Sequence, residues 1–190
     1  MTRSSIHTIA SMALAAMGAA PSAQAQPAGH SPGDQSGLVA EVRLATRDFH
    51  DVGVAIGAGY VSAGSCVSGP QAGAMGIHYP NGALVGDGVL DPRRPEILIY
   101  EKRSGRARLL GVEFFVIAEQ WHAANAAPPV LMGQHFHYVG SPNRYGLPPF
   151  YELHVWAWRD NPSGMFADWN PHVSCEGYAG ESGTHTPGHR

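Results

Sequence analysis

Two apolar runs joined by a short polar break constrain this chain more than any other feature. Glu96–Glu101 reads EILIYE and Arg106–Ile117 reads RARLLGVEFFVI, with Arg103-Ser104-Gly105 between them. Runs rich in β-branched and aromatic residues favour extended backbone, and a Ser-Gly break of this length reverses the chain into a hairpin. Phe150–Trp158 (FYELHVWAW) has the same texture, and Met75–Pro80 (MGIHYP) and Gly133–Val139 (GQHFHYV) are weaker strand candidates. Ahead of the strands, Leu38, Val42, Ala45, Phe49, Val52 and Ile56 recur in steps of three and four, which places one apolar stripe on one helix. Asp34 or Ser36 would cap that helix, and Gly57 or Gly59 would end it. The Ala118–Pro129 segment has room for a helical turn before Pro128. The expected fold is α+β: an N-terminal amphipathic helix, then a mainly antiparallel sheet that curls into a small barrel or half-barrel.

The first residues address the chain. Arg3, an apolar core over Ile9–Ala20 and Ala23-Gln24-Ala25 read as a secretory signal peptide over residues 1–25. That core is too short for a membrane span, and no later segment is apolar enough to cross a bilayer. Residues 26–35 read as a linker, 36–175 as one globular domain and 176–190 as a disordered polar tail. The expected location is the periplasm or the extracellular medium. There Cys66 and Cys175, the two cysteines, would join in a disulfide.

Charge and motifs exclude several classes. Twelve basic residues stand against 15 acidic ones, a net charge of −3, and Lys102 is the only lysine. No basic patch offers itself to a phosphate backbone, so nucleic acid is excluded as a partner. The chain has no GxSxG elbow, phosphate loop, dinucleotide fingerprint or CxxCH. A small-molecule ligand remains, and the sequence specifies no oligomeric state.

Ionisable residues inside the apolar strands suggest what the chain does. Alternation puts Tyr151, Leu153, Val155 and Ala157 on one face of the third strand, and Phe150, Glu152, His154, Trp156 and Trp158 on the other. A carboxylate and an imidazole among aromatics suit a cavity better than a second core, where an unpaired charge costs several kcal/mol. Glu113 interrupts another apolar strand. His135 and His137, one residue apart, point the same way on a strand, and His78 precedes a Pro-Asn-Gly turn. Imidazole and carboxylate together are ligands for divalent transition metals such as Cu, Fe, Mn or Zn. The expected ligands are His78, Glu113, His137 and His154. His135, Glu101 and Glu152 stand as reserve ligands or as partners that orient a ligating imidazole. Trp156, Trp158, Trp169 and Asp168 are the expected pocket walls. The alternatives are that each histidine is a hydrogen-bonded structural residue, that Glu113 pairs with Arg106 or Arg108, and that the tryptophans only pack.

The segments GAMGIHYPNG, LDPRRPEILIYE, GVEFFV and YELHVWAWRDNPSGMFADWNPHVSC resemble a family of exported bacterial proteins of unassigned activity. The resemblance runs from the helix to Cys175 and implies an exported, folded domain. The His-x-His and Glu pattern is also similar to that of cupins, though the cupin glycine spacing and following glutamate are missing here. The expected function is that of an exported metal-binding protein with a His/Glu site in an aromatic-lined pocket, an oxidoreductase or lyase. A non-catalytic binding module for a sugar or aromatic ligand is the alternative.

Overall fold

The hairpin forms as its turn residues require. In the computed structural model, which describes residues 32–69, 71–176 and 178, strands β3 (Ile97–Arg103) and β4 (Arg106–Ile117) pair antiparallel with Arg103 opposite Arg106. The two residues between them, Ser104 and Gly105, have φ of 50° and 78°. Two positive-φ residues at the tip make a turn whose twist matches that of the strands. Around this hairpin stand β1 (Cys66–Gly69), β2 (Gly73–Pro80), β7 (His137–Val139) and β8 (Phe150–Val155), in the sheet order β1-β2-β3-β4-β8-β7. Every pairing in it is antiparallel. A half-barrel sheet preceded by helix makes the domain α+β. The segment expected to be a signal peptide, and most of those expected to be linker and tail, lie outside the described residues.

One face of the sheet is an ordinary apolar core. Ile77, Leu98, Val112, Phe114 and Val155 are fully buried there. Helix α1 (Pro32–Thr46) packs Leu38, Val39 and Val42 into the same cluster. Burying side chains of this size stabilises by about 1.5–3 kcal/mol each relative to exposure. The opposite face carries two smaller apolar groups, Ile97, Phe115 and Phe150 in one, and Ala74, Ile99, Leu110, Trp156 and Val173 in the other.

The structure corrects the sequence reading at several boundaries. Helix α1 starts at Pro32, inside the segment read as linker. The long amphipathic helix is interrupted: a 3-10 turn at Arg47–His50 follows α1, and helix α2 (Val52–Gly57) starts afresh. Asp51 causes the restart, because it is extended and its carboxylate accepts the Gly53 N–H as an N-cap. The new helix is out of phase with the stripe, and Ile56 is 55% exposed.

Gly133–Val139 is not one strand. Gln134–His135 (β6) pairs with Val130–Leu131 (β5) in a separate two-stranded sheet, and Phe136 separates it from β7. β8 ends at Val155, where its backbone closes on Gly111; a side chain there would collide with the Val155 carbonyl and the Trp156 backbone. Alternation stops at that point. Two short helices, α3 (Gly82–Val85) and α4 (Ala118–His122), complete the elements among the described residues. Among the described residues no helix is long and apolar enough to cross a membrane.

The last folded segment is tied down twice. Cys66 and Cys175 form a disulfide across 109 residues. In the chain-entropy account, closing a loop of that length is worth up to about 4.7 kcal/mol. Asn170 and Ala74 exchange backbone hydrogen bonds of 3.1 Å. Gly73 permits this approach, since its φ is +88° and a Cβ would strike Asn170 and Pro171. Within the segment expected to be tail, Tyr178 reaches the Gly64 carbonyl with its hydroxyl (3.3 Å).

One buried acid makes stability depend on pH. Glu96 is 1% exposed and its carboxylate accepts the Phe115 N–H at 3.0 Å. Burial pushes its pKa from 4.5 up to about 8. Folding therefore takes up a proton between those values, and stability falls as pH rises through them, by about 1.4 kcal/mol per unit for one group. Glu96→Gln is expected to flatten urea-denaturation stability between about pH 5 and 8 by that slope and to be the more stable protein at the upper end. An unchanged slope would contradict the assignment.

Candidate metal centre

Sheet register, rather than any local motif, assembles the site. Glu113 of β4 lies directly opposite His154 of β8. On its other side Glu113 faces Ile97 of β3, whose partner in β2 is Pro80, two residues along from His78. Alternation puts all these side chains on the face away from α1. The result is a triad of two buried residues, Glu113 and His154, and the half-buried His78. His78 Nε2 stands 3.2 Å from Glu113 Oε2, and His154 Nε2 stands 3.8 Å from the same oxygen. One donor atom from each of His78, Glu113 and His154 lies within 4.8 Å of the others. A second group shares His154 and adds Glu152 and Asp168.

His154 is the unusual member. It is 1% exposed, and neither ring nitrogen has a hydrogen-bond partner among the described residues. Its Nδ1 is 3.6 Å from Asp168 Oδ1, close enough for electrostatic attraction but long for a hydrogen bond. Leaving a buried polar atom unsatisfied costs about 1–3 kcal/mol. Donors about 2.1 Å from a shared tetrahedral ion would stand about 3.4 Å apart. The 3.2 and 3.8 Å separations around Glu113 Oε2 bracket that spacing. The residues present therefore fit a divalent ion of borderline softness: two imidazoles and one carboxylate, with His154 unsatisfied without it.

The charges are strongly coupled. Burial alone would raise Glu113, but the His78 hydrogen bond and the His154 charge hold its carboxyl below the ordinary range. Burial alone would lower His154, but Asp168, Glu113 and Glu152 outweigh it and raise the imidazole above 6.5. Burial and the neighbouring Glu113 push Glu152 up to about 8. Asp168, despite burial, is held low by His154 and His137.

A cavity of about 530 Å³ opens onto this triad. His78, Glu113 and Glu152 line it, and His154 lies sealed behind them. Its apolar wall comes from Phe115, Phe150, Tyr145, Ile97 and Ile117. The tryptophans expected as walls do not line this cavity; Trp156 and Trp158 line a second one, of about 450 Å³, together with Arg43, Asp160 and Asn161. Trp156 stacks on His154 (centroids 6.3 Å apart), and its Nε1–H donates to the Ala167 carbonyl at 2.6 Å. That bond anchors the loop carrying Asp168, whose carboxylate consequently stands between His154 and His137. Trp158 lies on the helix side, because regular alternation has ended: its Nε1–H donates to Thr46 Oγ1 at 3.0 Å, and Arg43 lies over its ring. Trp169 packs against Gly69 and under the Arg144 guanidinium.

The remaining expected ligands are dispersed. His137 joins neither donor group; its side chain is 58% exposed and its Nδ1 hydrogen-bonds Asp168 Oδ1 at 2.9 Å. Asp168, read from sequence only as a wall, takes the nearer place. His135 is exposed on the separate two-stranded sheet. Glu101 lies opposite Arg108 in the register and 3.8 Å from its guanidinium, so the glutamate–arginine pair considered for Glu113 belongs to Glu101. Glu152 is buried beside the triad, as a reserve position would be. The chain matches no protein-family model, no curated protein and no solved structure.

The charge arrangement gives a direct test in metal-free protein. NMR titration of His154 is expected to show a pKa above 6.5, and Asp168→Asn should lower it. A wild-type value below 6.5 would mean that burial outweighs the three carboxylates.

Proposed function

We propose that this protein is an exported metal-binding protein that holds one divalent transition-metal ion (Cu, Fe, Mn or Zn) through His78, Glu113 and His154. The carrying observation is His154, fully enclosed with two unsatisfied nitrogens and a carboxylate facing each. A protonated imidazole would answer the charge but leave two buried N–H donors without a good acceptor; a metal on Nε2 would satisfy that nitrogen and leave only Nδ1–H, facing Asp168. The disulfide supports the export reading, because such bonds persist in oxidising compartments.

The proposed chemistry is that of a metal-dependent oxidoreductase or lyase. When bound, the ion would supply Lewis-acid activation of an oxygen-bearing ligand in the cavity. The chain's own residues do the rest. Asp168 attracts His154 from the Nδ1 side, the position of a carboxylate that orients a ligating imidazole. Glu152 presents a carboxyl to the cavity beside Glu113, where it can hold or pass a proton. Phe115 and Phe150 exclude water from one wall. The cavity also supports a second reading, binding without chemistry. In it a ring would stack on Phe115, Phe150 or Tyr145, since Trp156, Trp158 and Trp169 do not line this cavity.

Elemental analysis of protein recovered through its export route tests the proposal. Wild type should carry one metal ion per chain, and His78→Ala and His154→Ala should lose it. Asp168→Asn should keep it with affinity reduced about 10- to 100-fold. Sub-stoichiometric metal that His154→Ala leaves unchanged would refute the site.

A further inference from the structure

The cavity has a second chemical feature, at its rim. Arg144 lines it and lies in the loop between β7 and β8. Asn143 holds that loop in shape: its Nδ2 donates to the Gly140 carbonyl (2.9 Å) and the Leu147 carbonyl (2.8 Å), and its Oδ1 accepts the Tyr145 and Leu147 N–H groups. The Arg144 guanidinium lies over the Trp169 ring at 5.6 Å and over the Tyr145 ring at 5.9 Å. Its hydrogen bond is a single long one, Nη2 to the Ser68 carbonyl at 3.3 Å. A guanidinium has five N–H donors, and no carboxylate among the described residues pairs with this one. It is a positioned cation with donors to spare.

The walls define the rest of the ligand. Phe115 and Phe150 are 4.8 Å apart by ring centroids, and Tyr145 is 6.0 Å from Phe150, so the aromatic surface is continuous. The Tyr145 hydroxyl donates to Met75 Sδ, leaving its ring as wall. Val85, Ile97, Ile117 and Leu147 extend the apolar lining. A volume of about 530 Å³ accommodates a compact organic molecule.

We propose that the cavity takes a small molecule with an apolar, ring-bearing body and a single anionic end, the anion meeting Arg144. This rests on the metal reading above, in which the bound cation offsets the Glu113 charge on the cavity floor. The Glu113 carboxylate would otherwise favour an amine.

Calorimetric titration of metal-loaded protein with 3-phenylpropanoate, 3-phenylpropanamide and 3-phenylpropylamine tests it, with metal content measured on the same samples. The anion is expected to bind at least about tenfold more tightly than the amide, and the amine most weakly. Arg144→Gln should bring the anion down to the level of the amide without changing metal content or the unfolding temperature. Tightest binding of the amine, binding of none of the three, or an anion preference that survives Arg144→Gln would overturn the proposal. If metal is bound in such a failure, the metal site stands and only the ligand class falls. If the protein cannot be loaded with metal, the reading beneath it falls.

Discussion

Across the β4–β8 pair, the Glu113 carboxylate and the His154 imidazole confront each other inside an apolar sheet, 3.8 Å apart and away from water. Neither group would be left there by packing alone, since apolar residues of similar volume would avoid the desolvation cost. His78 approaches the same carboxylate oxygen from β2, and Asp168 approaches the far nitrogen of His154 from the last loop. The half-barrel, the pinned loop and the disulfide can all be understood as holding these four side chains in place.

The arrangement depends on register more than on composition. Side chains alternate with a period of two, so a one-residue slip of β8 would send His154 and Glu152 into the helix-facing core. That core resists the slip, because Leu153 and Val155 would have to take their places. The C-terminal loop is fixed in the same over-determined way. Trp156 holds Ala167, Asn170 pairs with Ala74, and Asn161 Nδ2 donates to the Trp169 carbonyl at 3.0 Å. Asp168 sits between these anchors, so its distance from His154 is a property of the fold.

Much of this is legible in the residues, for local reasons. Ser104-Gly105 announces a tight hairpin, and the alternation over Phe150–Trp156 by itself separates a core face from a site face. Glu113 and His154 stand out because ionisable groups in apolar strands need an explanation. What stays hidden depends on contacts distant in sequence. His135-x-His137 looks like a paired ligand set, yet Phe136 divides it between two sheets. Trp158 continues the site face by alternation, yet β8 bends over Gly111 and directs it to Thr46. Asp168 is nearest in space to residues 14 and 31 positions away, which no spacing rule covers. Glu96 carries no signal in the sequence, because its burial depends on how β3 enters the sheet.

The central claim is that His78, Glu113 and His154 bind one ion in common. An anomalous-scattering map from crystals of metal-loaded protein addresses it most directly. The account predicts a single strong peak about 2 Å from His78 Nε2, Glu113 Oε2 and His154 Nε2. A map with no peak there, and an ordered water bridging His154 to the carboxylates instead, would contradict it.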